Sequence, residues 1–351
     1  MTHMNDGELS SSALLHSKRW ETGLVRRPYW NLEMVTTPKK VTLGKGRVNP
    51  IRTVRGPGRG VNAYVLDTGI RLTHQVFMGR ASNFQNRTTT PYCRSGDLSM
   101  HDNSNTSHGT GVASLIGGWN GGYSISLANV INVKVFCEDE AENSLVAKAI
   151  SDITAEHRAF VQDRPSWFKG SIINMSFGLP DHSPLVERVV KEASNAGILM
   201  IASAGNAEAG VPAEVASAHF PCNITEVICV TSCNRTYGWS RFANYGKGVD
   251  IIAPGERVAL AHSASDKMGW FQSGTSLATP IVGSVLANFM AYEGLVMDTK
   301  TVRKRMFDNA VKNVIGGLPK GRGKNRTPNL LVNIPTNRRN PRGPPYSGAP
   351  S

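Results

Sequence analysis

Between Val61 and Asn309 two apolar patterns alternate along the chain. Short, nearly continuous apolar runs read as strands buried on both faces: VNAYVLDTG from Val61, VINVKVF from Val130, SIINMSF from Ser171, ILMIASAGN from Ile198, VICVTSC from Val227 and VDIIAPG from Val249. Between them, apolar residues recur at helical spacing. SLVAKAISDITAEHRAF starts at Ser144, and PLVERVVKEASNAG runs from Pro184 to Gly197, a natural C-cap. Residues 276–292 read as a largely apolar helix and 299–310 as a charged one. Strands alternating with helices predict a mostly parallel central sheet flanked by helices on both faces, a three-layer α/β fold. No linker or repeat interrupts residues 61–317, so a single domain is expected. In such sheets functional groups collect at the carboxyl ends of strands, which directs attention to Asp67, Ser176-Phe177-Gly178 and Ser203–Asn206.

Composition agrees with a globular chain: 351 residues, 40% apolar and 19% charged. No run of about 18 apolar residues is present, which excludes a membrane-spanning helix. The opening MTHMNDGELSSSALLHSKRW lacks the apolar stretch of a secretory signal. The net charge of +13 suggests nucleic acid until it is divided by region. Residues 1–60 hold 11 Lys+Arg against 4 Asp+Glu, and residues 318–351 hold 7 against none, but residues 61–317 hold 21 against 22. The basic excess therefore lies in the flanks and reads as solvated tails. Residues 1–27 and the Pro/Gly/Arg-rich 335–351 are expected to be poorly ordered. The five cysteines, 93, 137, 222, 229 and 233, form no CxxC pair, which argues against zinc. Cys229 and Cys233 fall on one strand about 13 Å apart, too far to bridge.

Four polar residues remain at strand or helix ends, and each alone has an ordinary reading. Asp67 closes an apolar strand and would serve as a cap or hydrogen-bond acceptor. His108, in SHGTGVASLIGG, would cap or pack a helix. Asn206 would be a turn residue, and Ser276 a helix cap, although Thr275 could do that work. Pro280 fits a helix starting here, its missing donor costing little in the first turn. Together they are far more specific, because DTG, SHGTGVAS, SAGN and GTSLATP follow one another in the order Asp, His, Asn, Ser. With these motifs the chain resembles the subtilisin-like serine proteases of the peptidase S8 family, and especially the proteinase K-like secreted subtilases of fungi. The resemblance runs over roughly residues 28–333 and includes RPYWNLEMV, THQVFMGRA, INMSFG, FANYGKGVDIIAPG and PNLLVNI.

That resemblance implies a peptidase domain over 28–334 between the two polar flanks. It implies a serine endopeptidase in which His108 takes a proton from Ser276, Asp67 orients the imidazole, and Asn206 with the Ser276 N–H receives the oxyanion. Ser176, Phe177 and Gly178 would pair with substrate backbone. Ala202, Ser203, Ala204 and Gly205 would floor the first specificity pocket, and being small would admit a large apolar or aromatic residue before the cleaved bond. The rival reading is a catalytically inactive subtilase-like binding protein. No cofactor is needed for the chemistry, and a structural calcium is expected on Asp250 with carbonyls of Thr225 and Val227. Protein or peptide substrates, a monomer, secretion, and neither nucleic-acid nor membrane partners complete the expectation. A Cys93–Cys137 disulfide is implied, while Cys222 pairs with Cys229 or Cys233, or stays free. The sequence departs from the family at Gly111 and Ile281, where histidines are usual, at Ser114 in place of Gly, and at Leu277 in place of Met. It also departs in the acidic stretch 138–142, where a preference for basic residues upstream of the cleaved bond is one reading and an exposed loop the other.

Overall fold

Side chains on a strand point alternately to opposite faces, and a strand apolar at every position must be covered twice. The computed structural model describes residues 22–25, 27–43, 48, 50–54, 56–84, 91–93, 99–137, 141–179, 181–207, 219–294, 296, 298–319 and 326–334. In chain order the strands are β1 (Thr22–Val25), β2 (Ile51–Val54), β3 (Val61–Asp67), β4 (Ala81–Asn83), β5 (Asn129–Lys134), β6 (Gly170–Met175), β7 (Leu199–Ser203), β8 (Val227–Cys233), β9 (Ile251–Pro254), β10 (Val258–Ala261), β11 (Gly269–Gln272), β12 (Val311–Lys312) and β13 (Leu330–Leu331). The helices are α1 (Trp30–Thr36), α2 (His108–Gly117), α3 (Asn143–Asp163), α4 (Pro184–Asn195), α5 (Thr275–Glu293) and α6 (Thr299–Asn309).

Nine strands form one sheet in the order β12-β13-β9-β8-β7-β6-β3-β5-β4, parallel throughout except for β12 against β13. The alternation predicted from the strands is observed as two cores. Ala63 and Val65 of β3, Leu199 and Ile201 of β7, and Ile228 and Val230 of β8 pack with α2 and α5. Tyr64, Leu66, Met200, Ala202, Val227 and Cys229 from the same strands pack with α3 and α4. The expected three-layer α/β architecture is therefore present. From β3 the chain passes to β5 on one side and then to β6 on the other, which leaves the carboxyl ends of β3, β6 and β7 side by side.

Two expectations are corrected here. Thr22–Val25, within the segment 1–27 expected to be poorly ordered, pairs antiparallel with Ile51–Val54, and that ladder gives one edge of the segment backbone partners. Residues 1–21 and 335–351 lie outside the described residues, as do 138–140 of the acidic stretch. Pro280 stands sixth in α5, past the first turn. Its missing N–H would have bonded the carbonyl of Ser276, and the Ser176 hydroxyl takes that carbonyl instead at 2.7 Å. Among the cysteines, Cys93 is joined to Cys137 and Cys222 to Cys229. Cys233 is free and buried; burial pushes its thiol pKa up.

Candidate active site

Asp67 is the last residue of β3 and only 1% exposed. Its Oδ1 accepts from the Thr68 N–H at 2.8 Å and lies 2.7 Å from His108 Nδ1. His108 opens α2, whose first-turn N–H groups have no partners within the helix. Neighbouring side chains supply them: Ser104 Oγ accepts from the His108 N–H, Thr68 Oγ1 from Gly109 and Asp102 Oδ2 from Thr110. Asp102 is itself buried and also accepts from the hydroxyls of Thr68 and Ser104. A carboxylate at a helix N-terminus is favoured by the helix dipole, so Asp102 fixes where α2, and with it His108, begins. Burial works against a charged imidazole at His108. The charge and hydrogen bond of Asp67, with the charge of Asp102, outweigh it, and the pKa is raised above the ordinary histidine value.

Ser276 is the second residue of α5, the helix packed beside α2 across the first core. Asn206, just past β7, holds the start of this helix: its Oδ1 accepts from the Thr275 N–H at 2.9 Å and the Thr275 hydroxyl at 3.0 Å. The amide nitrogen is thereby turned away from Thr275. A Cβ built on Gly274 would lie 2.8 Å from Ser276 Oγ and 3.7 Å from Asn206 Nδ2, so both groups border the space that this glycine leaves open. Ser176, following β6, reaches the Ser276 carbonyl and accepts from Asn174 Nδ2. Gln272 Nε2 donates to the Thr106 carbonyl at 2.8 Å, tying the strand before Ser276 to the loop before His108. Asp67 and His108 therefore meet directly, and Asn206, Ser176 and Ser276 meet at the start of α5. His108 Nε2 makes no hydrogen bond to Ser276 Oγ. Such contacts in unliganded sites commonly tighten only with substrate. A cleft of roughly 600 Å³ opens beside the pair, lined by Asp67, His108, Lys134, Phe136, Ser176 and Phe177 among others.

Reading the sequence missed Asp102, Gln272, Lys134 and His219. Asp102 had a local signal, a carboxylate six residues before His108 at a helix start. Lys134, 2% exposed, donates to the His101 carbonyl at 2.9 Å, a contact across elements with no sequence signature. His219 touches both Gly178 and Gly205. The stretch Ala202–Gly205 expected to floor a specificity pocket therefore has a histidine ring against it. The Gly111 departure also has a physical account. A Cβ there would lie 2.2 Å from Leu260 Cδ1, so a leucine fills the space beside this helix. Ser114, in place of Gly, accepts from the Ala261 N–H at 3.0 Å and donates to the Gly111 carbonyl at 2.7 Å. Leu277 and Ile281 are simply buried in the core.

The residues expected to hold calcium do not fit an open cation site. Asp250 Oδ2 accepts from the Cys229 N–H at 2.9 Å. The Arg303 guanidinium lies 3.9 Å from its Oδ1 and donates to the carbonyls of Thr225, at 3.4 Å, and Glu226, at 2.9 Å. Val227 opens β8 opposite Met200. A positive side chain already faces the Asp250 carboxylate and the Thr225 carbonyl.

The subtilase family model matches residues 58–333. Cerevisin of Saccharomyces cerevisiae is 28% identical over 315 residues, covering 86% of this chain and 46% of its own length. Alkaline protease 1 of Emericella nidulans is 32% identical over 279 residues, covering 78% of this chain and 61% of its own. The chain thus spans about half to three-fifths of the length of these relatives. The fold matches a crystal structure of a cold adapted subtilisin-like serine proteinase with a TM-score of 0.69 at 24% identity, over 87% of this chain and 98% of that one. The order of motifs, the joined Asp67 and His108, and a family match over most of the chain lead to one conclusion: this chain belongs to the subtilase family.

Proposed function

We propose that the protein is a serine endopeptidase that cleaves polypeptides through an acyl-enzyme formed on Ser276. The observation that supports it best is the 2.7 Å contact between Asp67 and His108 Nδ1. It fixes the tautomer that leaves Nε2 able to accept a proton. His108 removes the Ser276 proton as Oγ attacks the scissile carbonyl, and returns it to the leaving amine. Asp67 stays ionised and stabilises the imidazolium. The Thr275 N–H is held by Asn206 and the Leu277 N–H by the Gly274 carbonyl. The Ser276 N–H between them, with Asn206 Nδ2 and the positive end of α5, would receive the oxyanion. Substrate would add as a strand beside Ser176–Gly178, with backbone bonds giving broad tolerance. The two disulfides favour action in an oxidising, extracellular setting.

Labelling by a fluorophosphonate that disappears in Ser276→Ala, together with digestion of a denatured protein by the wild type alone, tests the proposal. Retention of label in Ser276→Ala, or no labelling of folded wild type, would instead favour an inactive binding protein.

A further inference from the structure

On the peptidase reading, the residue before the cleaved bond would lie beside Ser276 between two segments of chain. One wall is Ser176-Phe177-Gly178 and the other Ala202–Asn206; the strands leading into them, β6 and β7, are neighbours in the sheet. Both walls are anchored to the start of α5, through Ser176 to the Ser276 carbonyl and through Asn206 to Thr275. The small residues of the second wall would by themselves leave a deep apolar slot. One imidazole reaches both walls. A Cβ on Gly178 would come within 2.3 Å of His219 Cε1 and 2.4 Å of Nε2. A Cβ on Gly205 would come within 2.8 Å of the same Cε1 and 2.9 Å of Nδ1. The ring is therefore in van der Waals contact with both glycines, and neither could be any larger residue without displacing it.

The ring's position is secured by its own chain. The His219 carbonyl accepts from the Asn223 N–H at 3.0 Å. The next residue, Phe220, is 3% exposed, and its carbonyl accepts from the Leu179 N–H at 2.8 Å. Behind Gly205, Asn244 Nδ2 donates to the Ala204 carbonyl at 2.9 Å and closes that side. At the outer rim Phe177 packs edge-on against Phe136, with ring centroids 5.1 Å apart.

Granted the peptidase reading above, on which this rests, we propose that His219 closes the far end of the first specificity pocket, and that the enzyme accordingly selects small side chains before the cleaved bond. Ala and Ser fit above the imidazole. A Phe or Leu side chain collides with it, because the ring is held between two backbone walls. Each methylene that a pocket fails to accommodate costs roughly 10–200-fold in kcat/KM. The preference for large apolar residues expected from Ala202–Gly205 alone is thereby reversed.

The test uses tetrapeptide nitroanilides that differ only in Ala, Leu or Phe at the residue before the nitroanilide, with active enzyme counted by fluorophosphonate titration. Wild type is expected to favour Ala over Phe at least about 10-fold, and His219→Gly to raise the Phe/Ala ratio by about 10–200-fold. Mapping the sites at which wild type cuts a denatured protein reads the same preference without any variant. Titratable wild type that favours Phe, with a ratio unmoved in His219→Gly, overturns the assignment of His219 and leaves the peptidase reading standing. Wild type that neither titrates nor cleaves any of the three substrates removes both.

Discussion

Asn206 carries two duties on opposite ends of one amide, and a pair of substitutions separates them. Its oxygen accepts two hydrogen bonds from Thr275, a residue with no exposed surface, while Asn206 itself is exposed. Asn206→Ala orphans the buried N–H at the start of α5, which costs about 1–3 kcal/mol. At about 2 kcal/mol, the middle of that range, and about 2.1 cal/mol/K of unfolding entropy per residue over about 300 residues, the Tm falls by about 3 °C. Asn206→Asp keeps the acceptor and adds negative charge at the α5 N-terminus, a favourable contribution of about 0.3–1 kcal/mol. Its Tm should hold or rise slightly. Catalysis separates the other way, because both variants lose the amide donor. Removal of such a donor lowers kcat about 10²–10³-fold, a figure that comes from subtilisin itself and is not worked from this structure. The carboxylate, repelling the oxyanion, should be at least as impaired as alanine. Thermal melts and kcat on a peptide nitroanilide decide it. An Asn206→Asp enzyme with near-normal kcat would remove the amide from oxyanion binding, and an Asn206→Ala enzyme with unchanged Tm would refute its role as the cap of α5.

Three further outcomes follow from the same geometry. Asp67→Asn removes the charge that does most to raise the His108 pKa and leaves burial, which lowers it, opposed only by the charge of Asp102. Since the neutral imidazole is the working base, the acid limb of the pH–kcat profile should move to lower pH while kcat drops about 10⁴-fold; a limb that stays in place would dissociate His108 from it. Gly111→Ala gains about 1 kcal/mol of helix propensity but loses about 1–3 kcal/mol to overpacking against Leu260, so urea melts should show net destabilisation, relieved by adding Leu260→Val. Arg303→Ala uncovers the oxygens of Thr225, Glu226 and Asp250, so millimolar calcium should raise its Tm more than that of wild type; equal responses would contradict the guanidinium's role as resident cation.

How much could be read without coordinates depends on how local the determining physics is. The runs at Val61, Val130, Ser171, Ile198 and Val227 are apolar at nearly every position because helices cover both faces, and the observed strands fall within or overlap them. By contrast β10 and β11 had no legible signal: each is four residues long, and β11 leaves Trp270 and Phe271 exposed, so no burial period marks it. The short helix α1 and the pairing of β1 with β2 were likewise invisible, because an element of a few residues draws its stability from what it packs against. In the candidate site, Asp67, His108, Asn206 and Ser276 were nominated by motif order. His219 and Arg303 were not, because each acts on groups that its own neighbours in sequence do not hint at.

The amino-acid sequence alone therefore determined the layered sheet, the chain order of the four polar groups and the sign of charge along the body, since these depend on side-chain periodicity and residue type. Tertiary structure alone decided which imidazole faces which carboxylate, that Ser176 takes the carbonyl Pro280 leaves without a partner, that a guanidinium confronts Asp250, and that His219 lies against Gly178 and Gly205. These depend on distances of a few ångströms between segments tens of residues apart, which no local pattern encodes.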